Sequence, residues 1–136
     1  MVLISALTIC RSATYSWHVN ILPMRESTYY VLASLLEGPS HGYGIIKRAA
    51  ELSDGQVRLA TGTLYTALDR LEAEGCIRLV SEEIVSGRAR RTYGLTDAGA
   101  AALRAEAGRM TRAARVVTAS GHRSVAGAVT GKVCPA

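Results

Sequence analysis

Thr61-Gly62-Thr63-Leu64-Tyr65-Thr66-Ala67-Leu68-Asp69-Arg70-Leu71-Glu72-Ala73-Glu74-Gly75 is the stretch on which the reading of this chain turns. Leu64, Leu68 and Leu71 recur at helical spacing and predict one buried stripe. Thr61 fits an N-cap, because its hydroxyl can accept an orphan amide proton of the first turn. Gly75 fits the C′ position, where φ is positive and a side chain is penalised. Thr63, Tyr65, Thr66 and Arg70 are left on the outward face. Cys76-Ile77-Arg78-Leu79-Val80 follows at once, then an arginine-rich segment, then Thr92-Tyr93-Gly94-Leu95-Thr96. A capped helix with unexplained polar groups, followed by a basic hairpin, is the pattern to be accounted for.

Upstream, a first helix is expected from about Ser27 to Glu37, capped by Ser27, with Tyr29, Leu32, Leu35 and Leu36 on one face. Gly38-Pro39 stops it. Ser40 is read as the cap of a second helix from His41 to about Leu52, with Tyr43, Ile46, Ala49 and Ala50 inward. Ser53-Asp54-Gly55 is a turn, and Val57-Arg58-Leu59 a short extended lead into the third helix. Downstream, Ile77 and Leu79 alternate on one strand while Tyr93 and Leu95 share a face of the next. The tip, Ser86-Gly87-Arg88-Ala89-Arg90-Arg91, places three arginines within four residues, with Glu82 and Glu83 on the incoming strand as a partial offset. Such a cluster also fits a merely solvated turn. Its position behind a candidate recognition helix favours nucleic acid.

Thr96-Asp97 caps a final helix expected from about Ala98 to Val117. Ala100, Ala107 and Ala114 share one heptad position; Leu103, Met110 and Val117 share another. That seam suits either packing on its own domain or pairing with a second copy, and the small alanines favour the second copy. Arg104, Arg109, Arg112 and Arg115 lie off it. The expected organisation is an N-terminal extension over 1–23, disordered or untranslated with initiation at Met24. A winged helix-turn-helix domain follows over 24–97, a dimerisation helix over 98–117 and a disordered tail over 118–136. The fold class is mainly α with a small β-hairpin.

At 136 residues the chain holds one modest core. Hydrophobic residues make up 49% but aromatics 5%, with no Phe, so Leu, Ile, Val and Ala must fill that core. The net charge of +5 favours a polyanionic partner, nucleic acid ahead of a membrane surface. Cys10, Cys76 and Cys134 are odd in number and far apart, which suits a reducing cytoplasm rather than a disulfide framework. No apolar run reaches the roughly 18 residues of a spanning helix. The apolar Met1–Cys10 run lacks the flanks of a signal peptide.

Catalytic chemistry has no constellation to work with. His18, His41 and His122 are isolated, and the Cys10/His18 and His122/Cys134 spacings do not match compact zinc motifs. Gly127-Ala128-Val129-Thr130-Gly131-Lys132 is one residue short of a P-loop between its glycines, and Val133 replaces the magnesium-binding hydroxyl. His41-Gly42-Tyr43-Gly44 lacks the third glycine of a dinucleotide fingerprint. No enzyme activity, metal or cofactor is expected.

Three motifs in order resemble the PadR-like family of bacterial transcriptional regulators. They are Leu35-Leu36-Glu37-Gly38-Pro39-Ser40-His41-Gly42-Tyr43-Gly44-Ile45-Ile46-Lys47; Thr61 to Tyr65 continuing through Leu71 to Gly75; and Arg90-Arg91-Thr92-Tyr93-Gly94-Leu95-Thr96-Asp97-Ala98-Gly99. The resemblance implies a homodimeric winged helix-turn-helix repressor on a near-palindromic operator in double-stranded DNA. Release by a small hydrophobic or phenolic effector is also implied. On this reading the DNA contacts come from Thr61, Thr63, Tyr65, Thr66 and Arg70 of the recognition helix. The wing and second helix add Arg88, Arg90, Arg91, Tyr43 and Lys47, and Leu103, Ala107, Met110, Ala114 and Val117 form the dimer seam. Thr66 stands where many members carry Pro, and the last helix holds no aromatic on which a flat effector could stack. The competing reading is a winged-helix module whose working surface meets protein.

Overall fold

A computed structural model describes residues 23–121. Its elements run α1 (Glu26–Ala33), β1 (Ser40–His41), α2 (Gly42–Leu52), α3 (Thr61–Ala73), β2 (Ile77–Val85), β3 (Arg88–Leu95) and α4 (Asp97–Ala119). The described residues thus form four helices and a small antiparallel sheet of order β1-β3-β2. The expectations for 1–22 and 122–136, including the extension, Cys10, Cys134 and the P-loop-like segment, lie outside the described residues. Two compact units are distinguished, up to residue 106 and from 107 onward, with the division inside α4.

In the first unit the core is one cluster: Val31, Leu32 and Leu35 from α1 and the turn after it, Ile45 from α2, the α3 stripe, and Cys76, Ile77, Tyr93 and Leu103. Leu64, Leu68 and Leu71 are all buried, as their spacing requires. Tyr93 is the largest side chain in the cluster.

Several boundaries differ from expectation. Regular α1 ends at Ala33, and tightened i→i+3 turns carry the chain to Gly38. There the Ser34 hydroxyl donates to the Val31 carbonyl at 2.6 Å, a local competitor to continued helix. Leu36 falls in these turns and is exposed rather than inward. Ser27 is not the cap of α1; Arg25 holds that position. Ser40 does not cap α2 either. It pairs with Tyr93, and His41 with Thr92, as a third strand that the helical reading absorbed. Within α2 Ala49 is buried and Ile46 packs against the core as expected, but the fully buried large side chain is Ile45, and Tyr43 is 73% exposed rather than inward. The segment before α3 is unpaired, tied down by the Val57 amide donating to Ser53 Oγ at 2.9 Å. The last helix runs two residues past Val117, to Ala119.

Candidate nucleic-acid interface

The helix α3 is set by its ends. Ala60, extended at φ −71° and ψ 147°, holds the N-cap position without a side-chain hydrogen bond, so Thr61 is the first helical residue rather than the cap. At the other end the Cys76 amide donates to the Leu71 carbonyl at 2.9 Å and the Gly75 amide to Glu72 at 3.0 Å. That pair of bonds is a Schellman closure, and Gly75 makes it at φ +75°. The Thr96 hydroxyl then donates to the Gly75 carbonyl at 2.6 Å and accepts from the Gly99 amide at 3.0 Å. One side chain thus joins the end of α3 to the start of α4, and caps α4 as expected.

Thr61, Gly62, Thr63, Tyr65 and Thr66 are all exposed on the N-terminal half of α3. No atom lies within 4 Å of where a Gly62 side chain would begin, so the backbone there is open to a close approach. Thr66 donates its hydroxyl to the Gly62 carbonyl at 3.0 Å. The C-terminal half differs in character, because its exposed residues include Asp69, Glu72 and Glu74. Arg70 is turned back onto the protein: it donates to the buried Thr28 hydroxyl of α1 at 2.9 Å and approaches Glu74 at 3.7 Å. The exposed face of α3 thus offers hydroxyls and first-turn amides at one end and carboxylates at the other.

The wing is a hairpin closed by Ser86 and Gly87, both at positive φ (52° and 75°), as a type I′ turn demands. A bulge between Leu79 and Ser81 shifts the register, leaving Glu82 opposite Arg91, Glu83 opposite Arg90 and Val85 opposite Arg88. The arginines thus lie on a strand rather than in a turn, and carboxylates stand directly across from two of them, Arg90 and Arg91. Strand alternation then splits the cluster, with Arg88 and Arg90 on one face and Arg91 with Tyr93 on the other. Arg91 Nε donates to Glu82 at 3.2 Å. Hydrogen bonding to Glu82 first, and to Tyr93 second, raises the Arg91 pKa further. Arg90 Nη2 lies 3.1 Å from both ring nitrogens of His41 in β1. Arg88, nearest the tip, has no ion pair with any described residue. The α2 residues Tyr43 and Lys47 are both exposed.

A family model described as the transcriptional regulator PadR-like family matches residues 31–105. This chain belongs to the PadR-like family. Transcriptional regulator Rv3488 of Mycobacterium tuberculosis is 45% identical over 75 residues, which make up 54% of this chain and 65% of that protein's length. A transcriptional regulator from Clostridium thermocellum is similar at TM-score 0.57 and 25% identity, over 70% of this chain and 89% of that one. Bacillus subtilis PadR, in a structure with operator DNA, is similar at TM-score 0.50 and 27% identity, over 57% of this chain and 44% of that one.

The match to the PadR-like family takes in α2, α3, the wing and the start of α4, hence the whole of the surface just described. Of the seam residues, Leu103 is buried in the core of the first unit. In the second unit Ala107 is half-buried, and Met110, Ala114 and Val117 are exposed, as is Val116. Four contributors were not legible in the sequence: Thr28 as acceptor for Arg70, His41 beside Arg90, Thr96 as a bridge and Gly42 beneath Tyr65. Each meets its partner across 20 or more residues of chain, beyond any local periodicity. Among the described residues no group of three or more His, Cys, Asp or Glu could hold a metal, and no helix is long and apolar enough to cross a membrane.

Proposed function

We propose that the protein is a homodimeric, sequence-specific repressor that binds double-stranded DNA and is released by a small hydrophobic effector. The observation that carries the reading is the asymmetry of α3. Its buried leucine stripe is spent on the core, while its N-terminal half presents Thr61, Gly62, Thr63, Tyr65 and Thr66 beside a basic wing. Two such helices in successive major grooves would set half-site centres about one helical turn apart, roughly 34–36 Å. Thr63, Tyr65 and Thr66 would reach base edges or nearby phosphates, with the first-turn amides free to hold a phosphate. Tyr43 and Lys47 would touch the flanking backbone from α2. Arg88 and Arg90 would add affinity and salt dependence without base choice. Arg70 and Arg91, already engaged within the protein, would act mainly by holding α3 and the wing in place.

Dimerisation is assigned to residues 107–119, where Met110, Val116 and Val117 expose apolar surface. Family membership supports repression and effector release. Selection of bound duplexes from a random pool, with the full chain and in the presence or absence of a panel of small phenols, tests the reading. The expected result is a near-palindromic consensus whose recovery falls with an effective phenol. Recovery of no sequence above background, with no salt-sensitive affinity, would leave a protein-binding winged helix as the better account.

A further inference from the structure

Gly42 opens α2 and is buried, and it lies under Tyr65, the only aromatic on α3. A Cβ on Gly42 would stand 3.0 Å from the Tyr65 hydroxyl oxygen, 3.3 Å from ring carbon Cζ and 3.5 Å from Leu64 Cδ2. The Leu64 distance is ordinary van der Waals contact, whereas both Tyr65 distances are tight, so the added carbon would be absorbed by the tyrosine. Tyr65 itself is 39% exposed, and its hydroxyl makes no hydrogen bond with a described residue. One side of the ring end is thus seated against α2 backbone while the hydroxyl remains available. On the same exposed face, Thr66 is held only by its own helix, through the Gly62 carbonyl, and the space beside Gly62 is open.

We infer that Gly42 is a specificity-positioning residue: the missing side chain makes a notch that fixes where the Tyr65 hydroxyl meets DNA. The assignment rests on α3 being the DNA-contacting helix. Gly42 lies at the first helical position with no positive φ, so alanine is acceptable to its backbone, and the effect of Gly42→Ala is confined to the ring it displaces. The displaced hydroxyl moves by a few tenths of an ångström or more, which is enough to degrade a hydrogen bond of fixed geometry.

The test measures affinity of the full-length protein for the best duplex recovered by random-pool selection, and for a scrambled duplex of equal length. Gly42→Ala should lower affinity for the selected duplex about tenfold, with affinity for the scrambled duplex, salt slope and thermal midpoint near those of the parent. In the Tyr65→Ala background the same change should cost less than about twofold, because residues acting through one contact are not additive. Tyr65→Phe, which removes only the hydroxyl and does not challenge folding, should lose the same discrimination. Equal losses from Gly42→Ala in both backgrounds, or full discrimination retained by Tyr65→Phe, would overturn the inference. A parent protein that prefers no duplex would instead overturn the DNA-binding reading beneath it, so the two failures are distinguishable.

Discussion

Gly99 shows how a single residue holds two elements together. A Cβ there would overlap the Cys76 carbonyl oxygen and stand 2.9 Å from Leu95 Cδ1, so α4 can dock on the turn after α3 only because this residue has no side chain. Overpacking against backbone cannot be relieved by a rotamer change, and Gly99→Ala is expected to destabilise by about 3 kcal/mol, the upper end for such changes. A urea midpoint measured against the parent checks this. Cys76, next to that contact, is buried, and burial first and Glu74 second push its thiol up, with Arg70 opposing. Burial likewise raises the Tyr93 phenol, against the pull of Arg91. Both groups bind their protons more tightly in the folded chain than in the unfolded one. Their contribution is therefore fully present below the unfolded pKa and lost as pH rises through the folded value. Stability should be level across neutral pH and decline above pH 9.0, the ordinary value for the thiol. Urea midpoints at neutral and alkaline pH would show it, and Cys76 should resist alkylation until the protein unfolds.

Among the elements, the wing departs furthest from its one-dimensional appearance. Read as a tip, Arg88, Arg90 and Arg91 formed one positive patch; on a strand they meet three different environments. Neutralising a phosphate changes the logarithmic salt slope by about 0.9 per contact. Arg88→Ala should show close to that change, Arg90→Ala a comparable one once the guanidinium leaves His41, and Arg91→Ala clearly less because Glu82 already engages it. A slope equally altered by all three would mean that the Glu82 pair opens on binding. The hairpin turn offers a stability test independent of DNA. Ser86 sits at φ 52°, where Asn is better tolerated, and Asn-Gly is the preferred type I′ pair. Ser86→Asn should stabilise by about 0.5 kcal/mol, read as a small rise in thermal midpoint.

At the scale of the whole molecule, the described residues of the second unit, 107–121, include none that is buried. Val116 and Val117 are 70% and 76% exposed, with Met110 on the same helix at 36%. An isolated helical segment of this length is marginal in water without an apolar partner. Met110→Glu combined with Val117→Glu is expected to yield a folded monomer by sedimentation equilibrium, with an unchanged melting profile for the first unit. Its affinity for a palindromic duplex should fall to that of one half-site. A dimer that survives both changes would place the interface elsewhere.

The local signals in the sequence determined the elements: leucine spacing gave α3, Gly75 its end, Thr96 the start of α4, and the three ordered motifs the family. These features act over one or two turns of chain, where periodicity and capping chemistry suffice. Tertiary structure decided what the polar groups do. Strand pairing placed Glu82 and Glu83 across from Arg91 and Arg90 and converted Ser40-His41 from a helix start into a strand. The fold brought Arg70, still half exposed, to the Thr28 hydroxyl of α1, and the absent side chain at Gly42 gave Tyr65 its seat. Composition and spacing cannot show such partners, because each pair is brought together only when the core around Tyr93 and the leucine stripe closes. The exposed N-terminal half of α3 could be read from the chain; the contact that orients its tyrosine required the fold.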